Sequence, residues 1–586
     1  MKLQRTWFPL ARSVHSAVAV TQKSKEISPD PLTGPKQALA GRVVTMDDAF
    51  TVVPDGVVYI DQGGISAVQD RAQPAPTDFE AVEVFDTGGT LYPGLIELHN
   101  HLAYNSLPLW SPVPKRFEHR DQWSVHKQYR PLISGPMTVI GEYRDAKGQP
   151  ALLPSLVRYV ECKCLLGGVT TSQGIMLASN AGVRRFYRGL IRNVEATDDA
   201  TLPEAQARIA DVDALDAQRF LTRLEKENSC FLLHLSEGVT DPNKPDSIAR
   251  RHFLALEIAP GRWALNDKFT GIHAAGLLPE DFDVLKKQEA SMVWSPLSNL
   301  LLYGGTARVE AARAAGVDIG LGSDWSPTGS KNLLGELKVA FLYSEHLLNG
   351  LLTARDIVAM ATCNAAHILK WRGQLGTIAA GARADLIAID GTTVDPYDAL
   401  VHAKETDIRL VMINGVARYG APELMTLLAP EGERVKVGGQ LRKLFLKQGT
   451  ADPDVATLSL NKATGIMGDA LLNIAKLAKD IEKQTGARAK TFPLNAPVAP
   501  VWSLALDEIQ DRGADLRPRL PFNGPRDLTG PKRASAKATA AAPLSTILKP
   551  ITLDALTVAD DEDFLDQIEA QPNVPEPVKK GLRQLF

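Results

Sequence analysis

The stretch Leu91–Asn105, LYPGLIELHNHLAYN, sets two histidines, His99 and His101, at the end of an apolar run. Residues i and i+2 of a β-strand project to the same face, so both imidazoles can turn towards one ion. The run Leu91–Leu98 reads as a buried strand, with Pro93–Gly94 marking its entry. A bare His-x-His pair is more often satisfied by hydrogen bonds than by a metal. Its meaning turns on whether the rest of the chain offers further ligands in equivalent settings.

Downstream, strand-like runs alternate with helix-length amphipathic segments. GVTTSQG (168–174), GLIRNVE (189–195), CFLLHLSEG (230–238), FTGIHAAG (269–276), ASMVWSPLS (290–298) and VDIGLGSDW (317–325) are separated by patterns such as ALLPSLVRYVECKCLL and PEDFDVLKKQE. Repeated βα units predict a parallel sheet, and residues 91–372 have the length of a (β/α)8 TIM barrel with insertions, an α/β fold. Upstream, GRVVTM, GVVYIDQGGISAVQ and AVEVFD are short apolar runs broken by glycine, and the same texture returns in GTIAAGARADLIAID and DIRLVMINGVARYG. Residues 38–90 and 373–430 are therefore expected to form one composite β-sandwich.

Both ends look different. Residues 1–37 read as an N-terminal extension, and 431–586 as a C-terminal helical and extended strap. Within the strap a helix is predicted over 465–485, with Ile466, Leu471, Ile474, Leu477 and Ile481 at near-helical spacing. Residues 486–550 are rich in Pro, Ala, Lys and Arg and read as extended. The acidic run DDEDFLDQIEAQ opens a short helix and lacks the spacing of a calcium loop.

Composition narrows the function classes. The chain has 586 residues and a net charge of −3, which gives no electrostatic case for nucleic acid or anionic lipid. No apolar stretch approaches the roughly 20 residues of a membrane span. The N-terminus MKLQRTWFPLARSVHSAVAV is interrupted by Arg12, Ser13, His15 and Ser16, so no secretory leader is expected and the chain is read as cytoplasmic. Cys162, Cys164, Cys230 and Cys363 are too few for a disulfide framework. Cys162 and Cys164 fall on a predicted helix, where i and i+2 share no face, so a thiolate metal site is not expected.

In a parallel barrel the C-terminal ends of the strands face one shared pocket. His234 sits at the end of FLLHLSEG, followed by Glu237. His273 sits near the end of FTGIHAAG, and Asp324 follows the apolar run VDIGLGS. A lone strand-end Asp is usually a helix cap and a lone His usually structural. Together with His99 and His101, they place ligand types at one level on successive strands, which favours a metal centre.

PGLIELHNH, HLSE, GIHAAG and LGSDWSPTGS, in that order, resemble the landmarks of the amidohydrolase superfamily, in its guanine and cytosine deaminase and triazine hydrolase branch. The resemblance covers about residues 38–425. It implies that His99, His101, His234 and Asp324 hold the metal and that Glu237 is the acid/base glutamate. His273 is then the histidine that contacts the activated water or the developing oxyanion. Three imidazoles and a carboxylate suit one zinc ion, with iron or manganese as alternatives. A second ion would need a carboxylated lysine or a substitute carboxylate on a middle strand. GLIRNVE offers Arg192, Asn193 and Glu195 but no lysine, so a mononuclear centre is expected.

The chain departs from the family pattern in places. Glu97 stands where Asp is more usual, only a faint strand is read at about Ala207–Asp211, and Trp294 stands where a histidine is common. Trp294 and Trp325 are expected at pocket level, where they could stack on a flat ring or simply pack. The loop from Leu102 to about Gln149 holds Tyr104, Trp110, Arg116, Arg120, Trp123, Tyr129 and Arg130, a mixture suited to an anionic or planar substrate. His119, His126 and His367 lack strand-end settings and are not expected to be ligands. The resulting expectation is a metal-dependent hydrolase of non-peptide carbon–nitrogen bonds, most simply a heterocycle deaminase. The alternatives are a cyclic or linear amide hydrolase with the same centre, and a non-catalytic scaffold, which predicts lost ligands. The expected partner is a small molecule, with a homo-oligomer left open.

Overall fold

Pro93–Gly94 divides the opening stretch between two sheets. The strand Val84–Pro93 pairs with Gln37–Val44 and Leu386–Asp390, whereas Leu95–Ile96 pairs in parallel with Val169–Ser172. The single strand expected over Leu91–Leu98 is thus two, and Pro93–Gly94 is the switch rather than the entry. A Cβ at Gly94 would lie 2.4 Å from the Thr170 side chain, so only glycine permits the crossing there. His99 and His101 follow the second strand and do not lie in it. Their convergence is made by the turn, not by strand alternation.

The computed structural model describes Leu32 and residues 34–179, 184–197, 199–488, 502–505 and 542–586. The expected N-terminal extension falls almost entirely outside the described residues, as does most of the Pro- and Ala-rich segment. The β patterns on either side of the α/β region form, by hydrogen bonding, one continuous nine-stranded sheet. It draws strands from Gln37–Val44 through Val84–Pro93 and from Leu386–Asp390 through Gln440–Leu444, past the expected limit at residue 430. Strand alternation loads both faces. Leu39 and Val43 join one apolar cluster with Val58 and Ile60, while Ala38 and Ala40 join another with Tyr59 and Phe79.

Parallel strands occupy the middle of the chain. Leu95–Ile96, Val169–Ser172 and Arg192–Asn193 form one run, and Gln206–Arg208, Phe231–Leu235, Phe269–His273, Ser291–Trp294 and Ile319–Leu321 form another. The faint strand near Ala207 is real but short. The two runs meet at both ends. Ala205 N donates to Val194 O at 2.8 Å on one side. On the other, Asn100 bridges Asp324 in parallel, and Asp324 N donates to His99 O at 3.0 Å. Ile96, Leu232, Ile272 and Val293 from the two runs share one buried apolar cluster with Trp371.

The long segment after His101 is not a bare loop. It carries the short helix Arg120–Trp123 and the helix Gly135–Glu142. Cys162 and Cys164 lie on the helix Leu153–Leu166, buried and free. In the C-terminal part the helix predicted over 465–485 is two helices, Leu460–Leu472 and Ile474–Arg488, broken at Asn473. Asparagine competes for backbone hydrogen bonds, and Asn473 Nδ2 donates to Asp469 O at 2.8 Å. The acidic run does open a short helix, Phe564–Glu569. No helix among the described residues is long and apolar enough to cross a membrane.

Candidate metal centre and active site

His101, His234, His273, Glu237 and Asp324 line one pocket, and the fully buried His99 packs behind them, its ring 4.7–5.1 Å from the other three imidazoles. Asp324 Oδ1 lies 3.1 Å from His99 Nε2 and 3.4 Å from His101 Nε2. His101 Nε2 and His234 Nε2 are 3.2 Å apart. The backbone is strained at this rim, with φ of +67° at Asp324, +68° at His273 and +49° at Ser236. The strain has a visible use at His273. Strand pairing sets it beside Leu235, one residue out of step with His234, yet the two rings sit 5.3 Å apart.

Hydrogen bonds fix which ring nitrogens carry protons. Gln173 Oε1 accepts from Asn100 N at 3.1 Å, so it is the amide oxygen, and it lies 3.1 Å from His99 Nδ1. His99 Nδ1 therefore donates and Nε2 holds the lone pair. Nε2 is buried without a hydrogen-bond partner, although Asp324 Oδ1 is close by. His234 Nδ1 faces the Arg208 carbonyl at 3.3 Å, which leaves its Nε2 bare as well. Burial first, then the neighbouring imidazoles, hold the His234 ring far below its ordinary pKa, and hence neutral. Burial opposes ionisation of Asp324, but His99, His273 and His101 override it and the carboxyl stays charged. His99 with His101 and Asp324, and His99 with His234 and His273, bring their ligand atoms close enough that each group could hold a metal ion.

His273 is oriented the other way. Trp294 Nε1 donates to Thr306 Oγ1 at 2.7 Å, and Thr306 donates to Asn299 Oδ1 at 3.2 Å. The Asn299 amide nitrogen consequently faces His273 Nδ1, at 3.0 Å. Nδ1 accepts, so Nε2 carries the proton and can donate but not ligate. This separates His273 from the ligand set, although its distances alone would admit it. Trp294 is fully buried, so it is not at the pocket as expected; its indole starts this relay.

Glu237 is held by a parallel chain. Trp123 Nε1 donates to Tyr303 Oη at 2.8 Å, and Tyr303 donates to Glu237 Oε1 at 2.7 Å. The second oxygen, Oε2, lies 3.7 Å from His273 Nε2. Burial pushes the Glu237 carboxyl up to about 7, against the lowering influence of Arg120. A carboxyl balanced at this value can both give and take a proton near neutral pH. Tyr303→Phe should remove one hydrogen bond from this group and lower kcat about tenfold with KM little changed. Steady-state kinetics would show it, and an unchanged kcat would deny the tyrosine any part in placing Glu237.

The pocket wall comes from the long segment after His101. Trp123 and Trp325 approach at 5.7 Å between ring centres, and Tyr104 and Trp325 at 5.1 Å. Arg120 is 1% exposed, pairs with Asp211 at 2.6 Å, and keeps Nε and Nη1 buried without hydrogen-bond partners. Other expectations fall elsewhere. Glu97 accepts from Asn100 Nδ2 at 2.8 Å and from Ser323 N at 3.0 Å, cross-linking the loops of His101 and Asp324. Arg192 pairs with Asp385, and Glu195 accepts from Gln173 at 3.0 Å and Gly174 at 2.9 Å. His119, His126 and His367 stand outside the cluster.

Comparison with known proteins gives this geometry a family. The model of the amidohydrolase family matches residues 90–418. A protein of Syntrophus aciditrophicus named 5-methylthioadenosine/S-adenosylhomocysteine deaminase 1 is 32% identical, over 66% of this chain and 93% of its own. A 5-methylthioadenosine/S-adenosylhomocysteine deaminase of Moorella thermoacetica is 26% identical, over 67% and 97%. Among solved structures, a triazine hydrolase variant aligns with a TM-score of 0.50 at 20% identity, over 66% of this chain and 94% of its own, a likeness of fold. The chain belongs to the amidohydrolase family, hydrolases of carbon–nitrogen bonds other than peptide bonds.

Proposed function

We propose that the protein deaminates a small nitrogen heterocycle with one divalent cation, zinc or in its place iron or manganese, held by His99, His101, His234 and Asp324. The observation that carries this reading is the opposed wiring of the histidines. His99 and His234 are fixed with bare Nε2 atoms, and His273 with a protonated one. A single ion is favoured because Glu195 and Arg192, on and beside the third parallel strand, are engaged by other partners. We read the two parallel runs as a closed (β/α)8 barrel, residues 91–372. Beside it stand a composite β domain, 38–90 and 373–430, and the C-terminal residues 431–586. A cytoplasmic setting suits the free, mostly buried cysteines.

A cation bound there supplies Lewis-acid polarisation and lowers the pKa of water towards about 7. Asp324 takes the proton of the attacking water, while Ser298 Oγ, 2.5 Å from its Oδ2, steadies the carboxylate. Glu237 delivers a proton to the ring nitrogen next to the attacked carbon. His273 Nε2–H donates to the oxygen as charge builds on it. The proton held by Asp324 then passes to the exocyclic amine, the remaining O–H proton returns to Glu237, the carbon–nitrogen bond breaks, and ammonia leaves. Two aromatic side chains and Arg120 orient the flat ring, the guanidinium offering two donors to a ring carbonyl or anionic substituent.

Arg120→Met should therefore raise KM by about 10- to 100-fold and change kcat less, with the pH profile of kcat moved upward because Glu237 loses the lowering influence of the guanidinium. The function itself is tested by metal analysis of the purified chain coupled to an ammonia-release screen over purines, pyrimidines, triazines and cyclic amides. Bound metal with ammonia release is the expected result. Metal with ring opening and no ammonia would show an amide hydrolase instead, and a chain that retains no metal would end this reading.

A further inference from the structure

The residues beyond 418 lie outside the matched family region, yet part of them reaches the loops of the active site. Asp554 is 4% exposed and stands between two buried ammonium groups, Lys163 and Lys331. Its backbone N–H donates to Ser106 O at 3.1 Å, five residues after His101. Lys163 in turn donates to Asn105 O at 3.0 Å and to Ser326 Oγ at 2.8 Å, two residues after Asp324. Asn105 completes the link, accepting from Ser326 N at 2.9 Å and donating to Asn100 Oδ1 at 3.0 Å. Lys331 is shared with Asp561 at 2.6 Å, so the carboxylates of one C-terminal segment match two buried cations.

Farther along, the same segment holds the substrate-side wall. Gln571, fully buried, accepts from Val113 N at 2.9 Å and donates to Trp110 O at 3.2 Å, as a strand neighbour would. Asn573 Nδ2 donates to Leu301 O at 2.7 Å, on the helix Pro296–Tyr303 that carries Asn299 and Tyr303. A buried charge or amide whose partner is removed costs more than an ordinary contact, so these positions are costly to lose and specific in what they hold.

We propose that residues 551–573 are a strap in cis that positions the active site. Asp554 pins the loops carrying His101 and Asp324, Gln571 pins the segment carrying Arg120 and Trp123, and Asn573 ties in the helix carrying Asn299 and Tyr303. The proposal rests on the reading above, in which those loops hold the cation and that segment lines the pocket. Asp554 and Gln571 are positioning residues, since neither lines the pocket.

The test uses the full chain, with hydrogen exchange read by peptide and cobalt(II) as the probe of the ligand set. In Gln571→Ala, amides of residues 107–123 should exchange about tenfold faster or more, while strands of the nine-stranded sheet are unchanged. In Asp554→Asn, peptides covering 99–107 and 323–331 should loosen, and cobalt(II) should bind at least about tenfold more weakly with an altered visible spectrum. Equal acceleration across the whole chain, or no change in these peptides, would reduce the segment to general stabilisation and overturn the proposal. If Asp554→Asn does not fold, the Gln571→Ala exchange pattern decides alone. Wild-type chain that takes up no cobalt would sink the metal reading itself, and the exchange pattern, which needs no metal, would still judge the strap.

Discussion

His234→Ala should abolish turnover, lowering kcat by at least about 10³-fold, and strip the chain of tightly held metal. The ring is buried, its Nδ1 is occupied by the Arg208 carbonyl, and its bare Nε2 faces His101 Nε2. Alanine leaves His99, His101 and Asp324 as three ligands around a gap that water enters, so the cation binds weakly and polarises poorly. The fold should survive. The ring is one small side chain at the end of a strand whose other residues, Phe231, Leu232, Leu233 and Leu235, remain buried. Cavity costs of this kind run to a few kcal/mol against a total of about 5–15 kcal/mol. Circular dichroism, metal analysis and kcat on one preparation would check it. Full activity with a verified substrate in a metal-poor variant would refute the mechanism.

That these six side chains would gather in one place was legible because their signal is local. Each ends or closely follows an apolar run, and parallel strands bring such ends together whatever the intervening helices do. What orients them was not readable. Gln173, Asn299 and Tyr303 are ordinary polar residues whose partners lie 26 or more residues away, and only packing chooses those partners. Trp294 shows the limit well. Its place after a strand suggested a pocket wall, but the ring turns inward and its N–H sets the tautomer of His273 at second hand. The split at Pro93–Gly94 was missed for a similar reason. An apolar run announces burial, not which of two sheets does the burying. The acidic run near residue 560 read only as the opening of a short helix, yet Asp561 pairs with the buried Lys331. The lysine that draws it in is more than 200 residues away in sequence.

The hydrogen-bond relay makes a sharper prediction than ligand removal, because it changes one proton and little else. Asn299→Asp keeps the size and the acceptor for Thr306 but replaces the amide that donates to His273 Nδ1. A carboxylate only accepts, so Nδ1 must now carry the proton and Nε2 loses it. A doubly protonated ring would keep the Nε2 donor, and a carboxylate beside Nδ1 favours that form, but the wild-type pocket weighs against it. Burial, together with the imidazoles of His99 and His101, pushes His273 down to about 3, against the pull of Asp324. In the neutral ring the bare Nε2 turns a lone pair towards the oxygen it had stabilised. Loss of one such donor is worth about 10²–10³ in kcat, and that is the fall expected. Metal content should hold, since none of the four proposed ligands changes. Ring nitrogen NMR on the variant would read the tautomer directly. A variant with Nδ1 alone protonated and kcat intact would remove His273 from the chemistry, and Asn299→Ala, which leaves both tautomers open, should fall between wild type and Asn299→Asp.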